Sequence, residues 1–194
     1  VGSLEAIYLA KRGFQVEVYE RRPDMRKVEL SAGRSINLAL SARGWNALKA
    51  VGVDQDVEKM AIPMYKRVMH AVDGSLTDQQ YGQDGEAIYS VSRGGLNQLL
   101  MNLAGEQENV NMHFNYKCVD VDLKSASATF EHNDGNQKNV DAEMIIGADG
   151  AYSVIRSKMI KQDRFQYSQH YIDHGYKELT IPANSDGTHK LEVN

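Results

Sequence analysis

Apolar and polar positions fall into blocks along this chain, and the blocks change period. Residues 3–12 carry Leu4, Ile7, Tyr8 and Leu9, with Ala6 and Ala10 between them. Spacings of three and four predict a helix packed closely on a sheet, and Gly13 predicts its C-terminal stop. FQVEVYE, residues 14–20, alternates apolar and polar and predicts a strand. Residues 21–33 are charged, contain Pro23 and Gly33, and read as loop. SINLAL is an extended lead into SARGWNALKAVGV, which predicts a short helix near 41–50 stopped by Gly52. YKRVMHAV and EAIYSVS predict strands on either side of the turn-rich DGSLTDQQYGQDG. RGGLNQLLMNLAGEQ predicts a helix with Leu96, Leu99, Leu100 and Leu103 on one face. VNMHFNYKCVDVDL and SATFEHND predict a hairpin-type strand pair. Met144–Ile146 predict a buried strand that ends at Gly147, YSVIRSKM begins a helix, and YKELTIPA predicts a last strand.

Strands alternate with helices at both ends of this order, which favours an α/β sheet core. The excursion at about 30–92 is too long for a simple loop in a compact domain and predicts an insertion with strands of its own. The expected division is 1–60 and 93–165 as two parts of one domain, 61–92 as the insertion, and 166–194 as the start of a further sheet. Of the 194 residues 42% are hydrophobic, enough for a packed core. A net charge of −4 argues against a basic nucleic-acid surface. The single cysteine, Cys118, excludes an internal disulfide and fits a reducing compartment. No apolar run approaches the roughly 20 residues that span a bilayer.

Glu20 sits at the carboxyl end of a predicted strand, 18 residues after Gly2. In dinucleotide-binding folds an acidic residue there accepts hydrogen bonds from a ribose diol, and a helix N-terminus near the glycine takes the pyrophosphate. A solvated strand-end glutamate is the equal alternative. Near a cofactor, Arg21 or Arg22 would stack on adenine or pair with phosphate, although Arg21 reads better as a solvated strand-end charge. Arg34 precedes an apolar run and is harder to dismiss; Arg43 reads as structural. In GADGAYSVIRS, residues 147–157, two glycines permit a tight turn and Asp149 offers acceptors to a sugar, with helix N-capping as its plain alternative. Arg67 and Tyr81 flank the turn-rich segment, where a guanidinium clamps carboxylates and a phenol adds one directional bond. Spacing alone leaves them an ordinary sheet arginine and surface tyrosine. The six histidines show no metal-like spacing with Cys118, and neither a nucleophile elbow nor a P-loop is present.

VGSL with VYERR, then GRSINLALSARG, IPMYKRVMH, YSVSRGGLN, GADGAYSVIRS and YSQHYIDHGYKELTIP, together resemble the FAD-dependent aromatic hydroxylases. Within them they are similar to the branch that acts on L-kynurenine, over essentially the whole chain. The resemblance implies a Rossmann-like, p-hydroxybenzoate hydroxylase-like fold with a β-rich substrate-side insertion. It implies an NADPH- and O2-dependent hydroxylation of L-kynurenine with FAD as cofactor and NADPH as a transient one, and no metal. Val1 and Gly2 would close the pyrophosphate loop, Glu20 hold the adenosine ribose, and Arg22 lie near the adenine. Arg34 and Ala39 would lie along the flavin, Arg93 reach the FAD from its helix, and Cys118 pass the adenine. Asp149 and Gly150 belong to a motif that serves FAD and NADPH, and Arg67 and Tyr81 match positions that bind the substrate carboxylate. A leading strand, a second flavin motif and the rest of the substrate sheet lie outside this chain, so an N-terminal portion, inactive alone, is expected. Bacterial members are cytoplasmic, whereas eukaryotic ones carry a C-terminal anchor to the outer mitochondrial membrane. A different aromatic hydroxylase and a nucleotide-binding module without oxygen chemistry remain the rivals.

Overall fold

Glycines in left-handed turns and runs of period two set the element boundaries. The structure, a computed structural model, describes residues 1–28, 37–175, 177, 179 and 181–190. In chain order its elements are α1 (Gly2–Ala10), β1 (Val16–Glu20), β2 (Asn37–Leu40), α2 (Ala42–Lys49), α3 (Asp54–Glu58), β3 (Ile62–Met64), β4 (Lys66–His70), β5 (Leu76–Gln80), β6 (Ile88–Ser92), α4 (Arg93–Gly105), β7 (Val110–Phe114), β8 (Tyr116–Asp122), β9 (Ser127–His132), β10 (Gln137–Asp141) and α5 (Val154–Met159). Backbone contacts divide the chain into two units. The first is Val1–Ser31 with Leu100–Tyr171, and the second is Ala32–Leu99 with Ile172–Asn194.

In the first unit α1 runs to Ala10, and Gly13, at φ 86°, turns the chain into β1. A side chain at that φ would be strained, so glycine ends the helix here. Strands β1 and β7 pair in parallel, from Val16 opposite Val110 to Glu20 opposite Phe114. Asn109 locks the approach to β7: its side-chain amide donates to Ala10 O at 3.0 Å and to Phe14 O at 2.6 Å. Strands β8, β9 and β10 form an antiparallel sheet with a bulge between Cys118 and Asp120. Tyr19 of β1 joins the two sheets by stacking on Phe130 of β9, ring centroids 4.0 Å apart. Ala6, Ile7, Ala10, Leu100, Met101, Ala104 and Val110 are buried. Ile7 is 1% exposed, and burying such a side chain contributes roughly 1.5–3 kcal/mol.

In the second unit β6 lies between β2 and β3, antiparallel to both. Leu48, Val51, Val53, Val57 and Val91 are its buried residues, and Trp45 meets Tyr89 edge to face at 5.1 Å. Strands β4 and β5 form a separate two-stranded antiparallel ribbon. Its turn is closed by Gly74 at φ 85° and by Asp73, whose carboxylate accepts from Ser75 N–H at 2.9 Å.

Four expectations change. Met144–Ile146 form no strand, and Met144 and Ile146 are 56% and 43% exposed. A strand needs a ladder partner, and none pairs with this segment among the described residues. The supposedly turn-rich segment contains β5, because LTDQQ is polar from exposure on both faces and not from being loop. Of the expected last strand, Tyr176, Glu178 and Thr180 lie outside the described residues, and the described part, Lys177, Leu179 and residues 181–183, carries no strand. The single hairpin expected at 110–134 resolves into β7, which joins β1, and the β8–β9 pair. The α/β character and the helices of α1, α2, α4 and α5 agree with the sequence reading, whereas α3 lacks a pattern long enough to read.

Candidate functional site

The first unit carries Val1, Gly2, Glu20, Arg22, Cys118, Asp149 and Gly150, and each is placed by a local element. Val1 is 94% exposed and stands at the N-cap of α1 with no side-chain hydrogen bond to the first-turn amides. The helix therefore opens on N–H groups that no side chain satisfies, the arrangement that takes anions. A Cβ on Gly2 would lie 3.4 Å from Ala148 Cβ. Thus Gly2 brings the start of α1 into contact with the GADG turn, with no side chain between them.

Glu20 ends β1 and is gripped by Arg22. Its Oε1 accepts from Arg22 N at 2.9 Å and Nε at 3.0 Å, and its Oε2 accepts from Nη2 at 3.3 Å. Arg22 is itself held by its backbone, since Asn115 N–H donates to Arg22 O at 3.1 Å. Burial pushes the Glu20 carboxyl up, but the Arg22 hydrogen bonds and the charges of Arg22 and Arg21 outweigh it and hold the carboxyl below its ordinary value. Three donors occupy three of about four acceptor positions on the carboxylate, so one remains on Oε2 for a ligand hydroxyl.

Asp149 caps α5. Its Oδ2 accepts from Val154 N at 2.7 Å and from Ile155 N at 3.3 Å. Ser153 completes the cap by accepting from Arg156 N at 2.9 Å. Burial raises the Asp149 carboxyl, and the Ser153 hydroxyl and these backbone amides more than reverse it, so it lies below its ordinary value. The capping role therefore exists, and it fixes the carboxylate's direction. Gly150 follows at φ 81°, a conformation that favours glycine. Arg156 donates from Nη1 to Gly150 O at 3.2 Å and from Nη2 to Ala151 O, which pins the turn from below. Cys118 is half-buried on β8, and burial first, then the Asp149 charge, pushes its thiol up.

The second unit carries Ala39, Arg67, Tyr81 and Arg93. Ala39 lies on β2 opposite Ser90. Arg93 is the exposed first residue of α4, whose first turn is capped by Ser92 Oγ accepting from Gly95 N at 3.2 Å. Arg67 stands opposite Gln79 in the β4–β5 register, and Tyr81 N–H donates to Tyr65 O at 3.0 Å, two pairs further out. Side chains alternate between faces along a strand, so Tyr65, Arg67, Gln79 and Tyr81 share one face of the ribbon. Spacing alone did not bring Arg67 and Tyr81 together, and the register does. Lys66 and Asp78 pair at 2.6 Å on the other face. Arg34 lies outside the described residues.

Sequence reasoning missed Gln79 and Tyr65, whose only signal is the register. It also missed Asp24, which is 7% exposed and accepts from Arg26 Nε at 2.8 Å and Nη2 at 2.7 Å. Among the described residues no three His, Cys, Asp or Glu side chains are grouped to hold a metal, and no helix is long and apolar enough to cross a membrane.

The chain as a whole is similar to known proteins in sequence and in fold. The family model described as "FAD binding domain" matches residues 1–184. The chain belongs to the FAD binding domain family. This FAD binding domain is 51% identical over 193 residues to the kynurenine 3-monooxygenase of Christiangramia forsetii, covering 99% of the chain and 43% of that protein. It is 43% identical over 194 residues to the kynurenine 3-monooxygenase of Sus scrofa, covering all of the chain and 41% of that protein. The domain thus spans less than half the length of these relatives. Among solved structures it is similar to the p-nitrophenol 4-monooxygenase PnpA of Pseudomonas putida, with a TM-score of 0.67, 20% identity, and 80% of this chain on 40% of the other. A likeness also holds to 2-methyl-3-hydroxypyridine-5-carboxylic acid oxygenase, with a TM-score of 0.65, 24% identity, and 80% of this chain on 38% of the other. These two show the fold.

Proposed function

We propose that this domain is the N-terminal portion of a kynurenine 3-monooxygenase, which hydroxylates L-kynurenine to 3-hydroxykynurenine with NADPH and O2. The observation that carries it is the β4–β5 face, where the register sets Arg67 and Tyr81 on one face of the ribbon in a protein whose relatives bear that name. An exposed arginine beside phenols suits the carboxylate end of an aromatic amino acid.

The residues of the first unit fit FAD. The uncapped start of α1 and the bare backbone at Gly2 suit the pyrophosphate, with Val1 beside it. The Oε2 of Glu20 has an acceptor left for the ribose, and Arg22 offers a flat cation to the adenine. Cys118 borders the adenine, and Asp149 and Gly150 present a fixed carboxylate and turn to FAD and NADPH. Ala39, Arg34 and Arg93 belong to the flavin side. Bound FAD supplies the redox chemistry that takes electrons from NADPH and activates O2. The protein binds, orients and excludes water: Arg67 and Tyr81 hold the amino acid so that its ring is presented in one pose. None of the chain's own groups is assigned a covalent role. The sequence resemblance implies the cytoplasm for a bacterial protein and the outer mitochondrial membrane for a eukaryotic one, and relatives of both kinds match.

The test is NADPH oxidation by the full-length, FAD-loaded protein. L-kynurenine should stimulate it and 3-hydroxykynurenine should accumulate, while Arg67→Ala should raise KM for L-kynurenine at least tenfold. Stimulation by another aromatic acid in place of L-kynurenine refutes the substrate. A protein that binds no FAD refutes the whole reading.

A further inference from the structure

We propose that Gln79 is a positioning residue for Arg67, and that it sets the ligand class of the ribbon to a molecule with a free carboxylate. The inference rests on the substrate reading of the β4–β5 face and deepens it. A guanidinium has five N–H groups on a flat frame. Gln79 Oε1 accepts from Arg67 Nε at 2.7 Å and from Nη2, so one amide oxygen sits astride one edge of that frame. The end edge is left over, with one N–H from each Nη pointing the same way. That is the fork that matches a carboxylate with two parallel hydrogen bonds.

The choice of an amide decides what the fork is for. On the opposite face of the same ribbon, Lys66 is paired with the carboxylate of Asp78 at 2.6 Å, and that cation is spoken for. On this face the partner across the strand is neutral. Gln79 therefore fixes the orientation of Arg67 without neutralising it, and among the described residues no carboxylate forms an ion pair with Arg67. Arg67 is exposed, and an arginine stem has many rotamers to lose on binding. Holding one edge beforehand removes that loss from the binding step. Tyr65 and Tyr81, 44% and 41% exposed, stand on the same face two pairs outward, and Met69, 43% exposed, lies two pairs inward. Phenol, fork and thioether thus line one strip, polar at the fork and apolar beside it.

The test uses the full-length FAD-loaded protein with L-kynurenine and with its decarboxylated analogue, which keeps the ring and amine and lacks the carboxylate. Gln79→Ala should raise KM for L-kynurenine about tenfold, equivalent to about 1.4 kcal/mol, with kcat and FAD content little changed. Binding of the decarboxylated analogue should stay within about twofold, because the lost interaction ran through the carboxylate. Gln79→Glu, which still accepts from Nε but neutralises the fork, should weaken L-kynurenine at least as much. The inference is overturned if Gln79→Ala leaves KM for L-kynurenine within about twofold, or weakens both compounds equally. Arg67→Ala separates the layers. If it raises KM while Gln79→Ala does not, the positioning role fails alone; if it too changes nothing, the substrate reading of the face fails.

Discussion

Replacing Asp24 by alanine should cost the fold about 3 kcal/mol. Asp24 is 7% exposed, in the turn that follows Glu20 and Arg22, and its carboxylate takes three hydrogen bonds from Arg26. These run from N at 3.1 Å, Nε at 2.8 Å and Nη2 at 2.7 Å. Arg26 also lies over the Phe114 ring at 5.4 Å, and Lys27 N–H donates back to Asp24 O at 3.0 Å. Hydrogen bonds to charged groups contribute about 1.5–3 kcal/mol each, so a simple sum overshoots. The Arg26 side chain is 27% exposed, and water replaces part of what it loses. Breaking a buried ion pair costs about 3–5 kcal/mol, and the partial exposure puts this pair at the lower end. At roughly 2–4 °C per kcal/mol for a chain of this size, thermal unfolding followed by circular dichroism at pH 7 should drop by about 6–12 °C.

A double-mutant cycle isolates the pair. Arg26→Met alone should also destabilise, by leaving the enclosed Asp24 carboxylate with only the backbone N–H of residue 26 and no countercharge, while the double variant should lose less than the sum of the two. Acid gives a second handle. The Arg26 hydrogen bonds come first and outweigh burial, so the folded Asp24 carboxyl lies below its ordinary value. A depressed folded pKa contributes stability above the unfolded value, near 3.9, that is lost as pH falls through the folded one. The gap between the parent and Asp24→Ala should therefore narrow below about pH 4. A loss under about 0.5 kcal/mol at pH 7, or strict additivity in the cycle, refutes the reasoning.

Glu20→Gln should weaken FAD binding about tenfold by fluorescence titration while changing stability by less than about 1 kcal/mol, because Arg22 is 63% exposed and such pairs contribute little; unchanged affinity removes Glu20 from the site. The Cys118 thiol is pushed up by burial and then by Asp149, which means less thiolate at a given pH. Its alkylation near pH 8.5 should lag a free thiol and speed up in Asp149→Asn, and an equal rate in both proteins shows that the Asp149 charge does not reach it.

How much of this was legible in the sequence depended on whether a feature is local or relational. Helix α1 and strand β1 were readable because Leu4, Ile7 and Tyr8 repeat at helical spacing, Gly13 stops the helix, and FQVEVYE alternates. Each of those signals is complete within about ten residues. Met144–Ile146 carry the apolar signature of a strand, yet being a strand depends on a neighbour, and a pattern of burial cannot supply one. Strand β5 fails in the opposite sense: LTDQQ has no alternation because both of its faces are exposed, and only its ladder with β4 makes it a strand. The site divides in the same way. Asp149 was readable as a cap or a ligand from GADGAYS alone, and its bonds to Val154 and Ile155 show the cap. Arg67 and Tyr81 needed the family resemblance, since a separation of 14 residues says nothing about faces until the turn is known. The turn at Asp73–Gly74 sets Lys66 opposite Gln80 and Arg67 opposite Gln79, and that parity puts Arg67, Gln79 and Tyr81 on one side. One residue more in the turn would shift the register and send Tyr81 to the face of Lys66 and Asp78. The proposed carboxylate fork is therefore encoded as much by the length of an exposed turn as by the arginine that carries it.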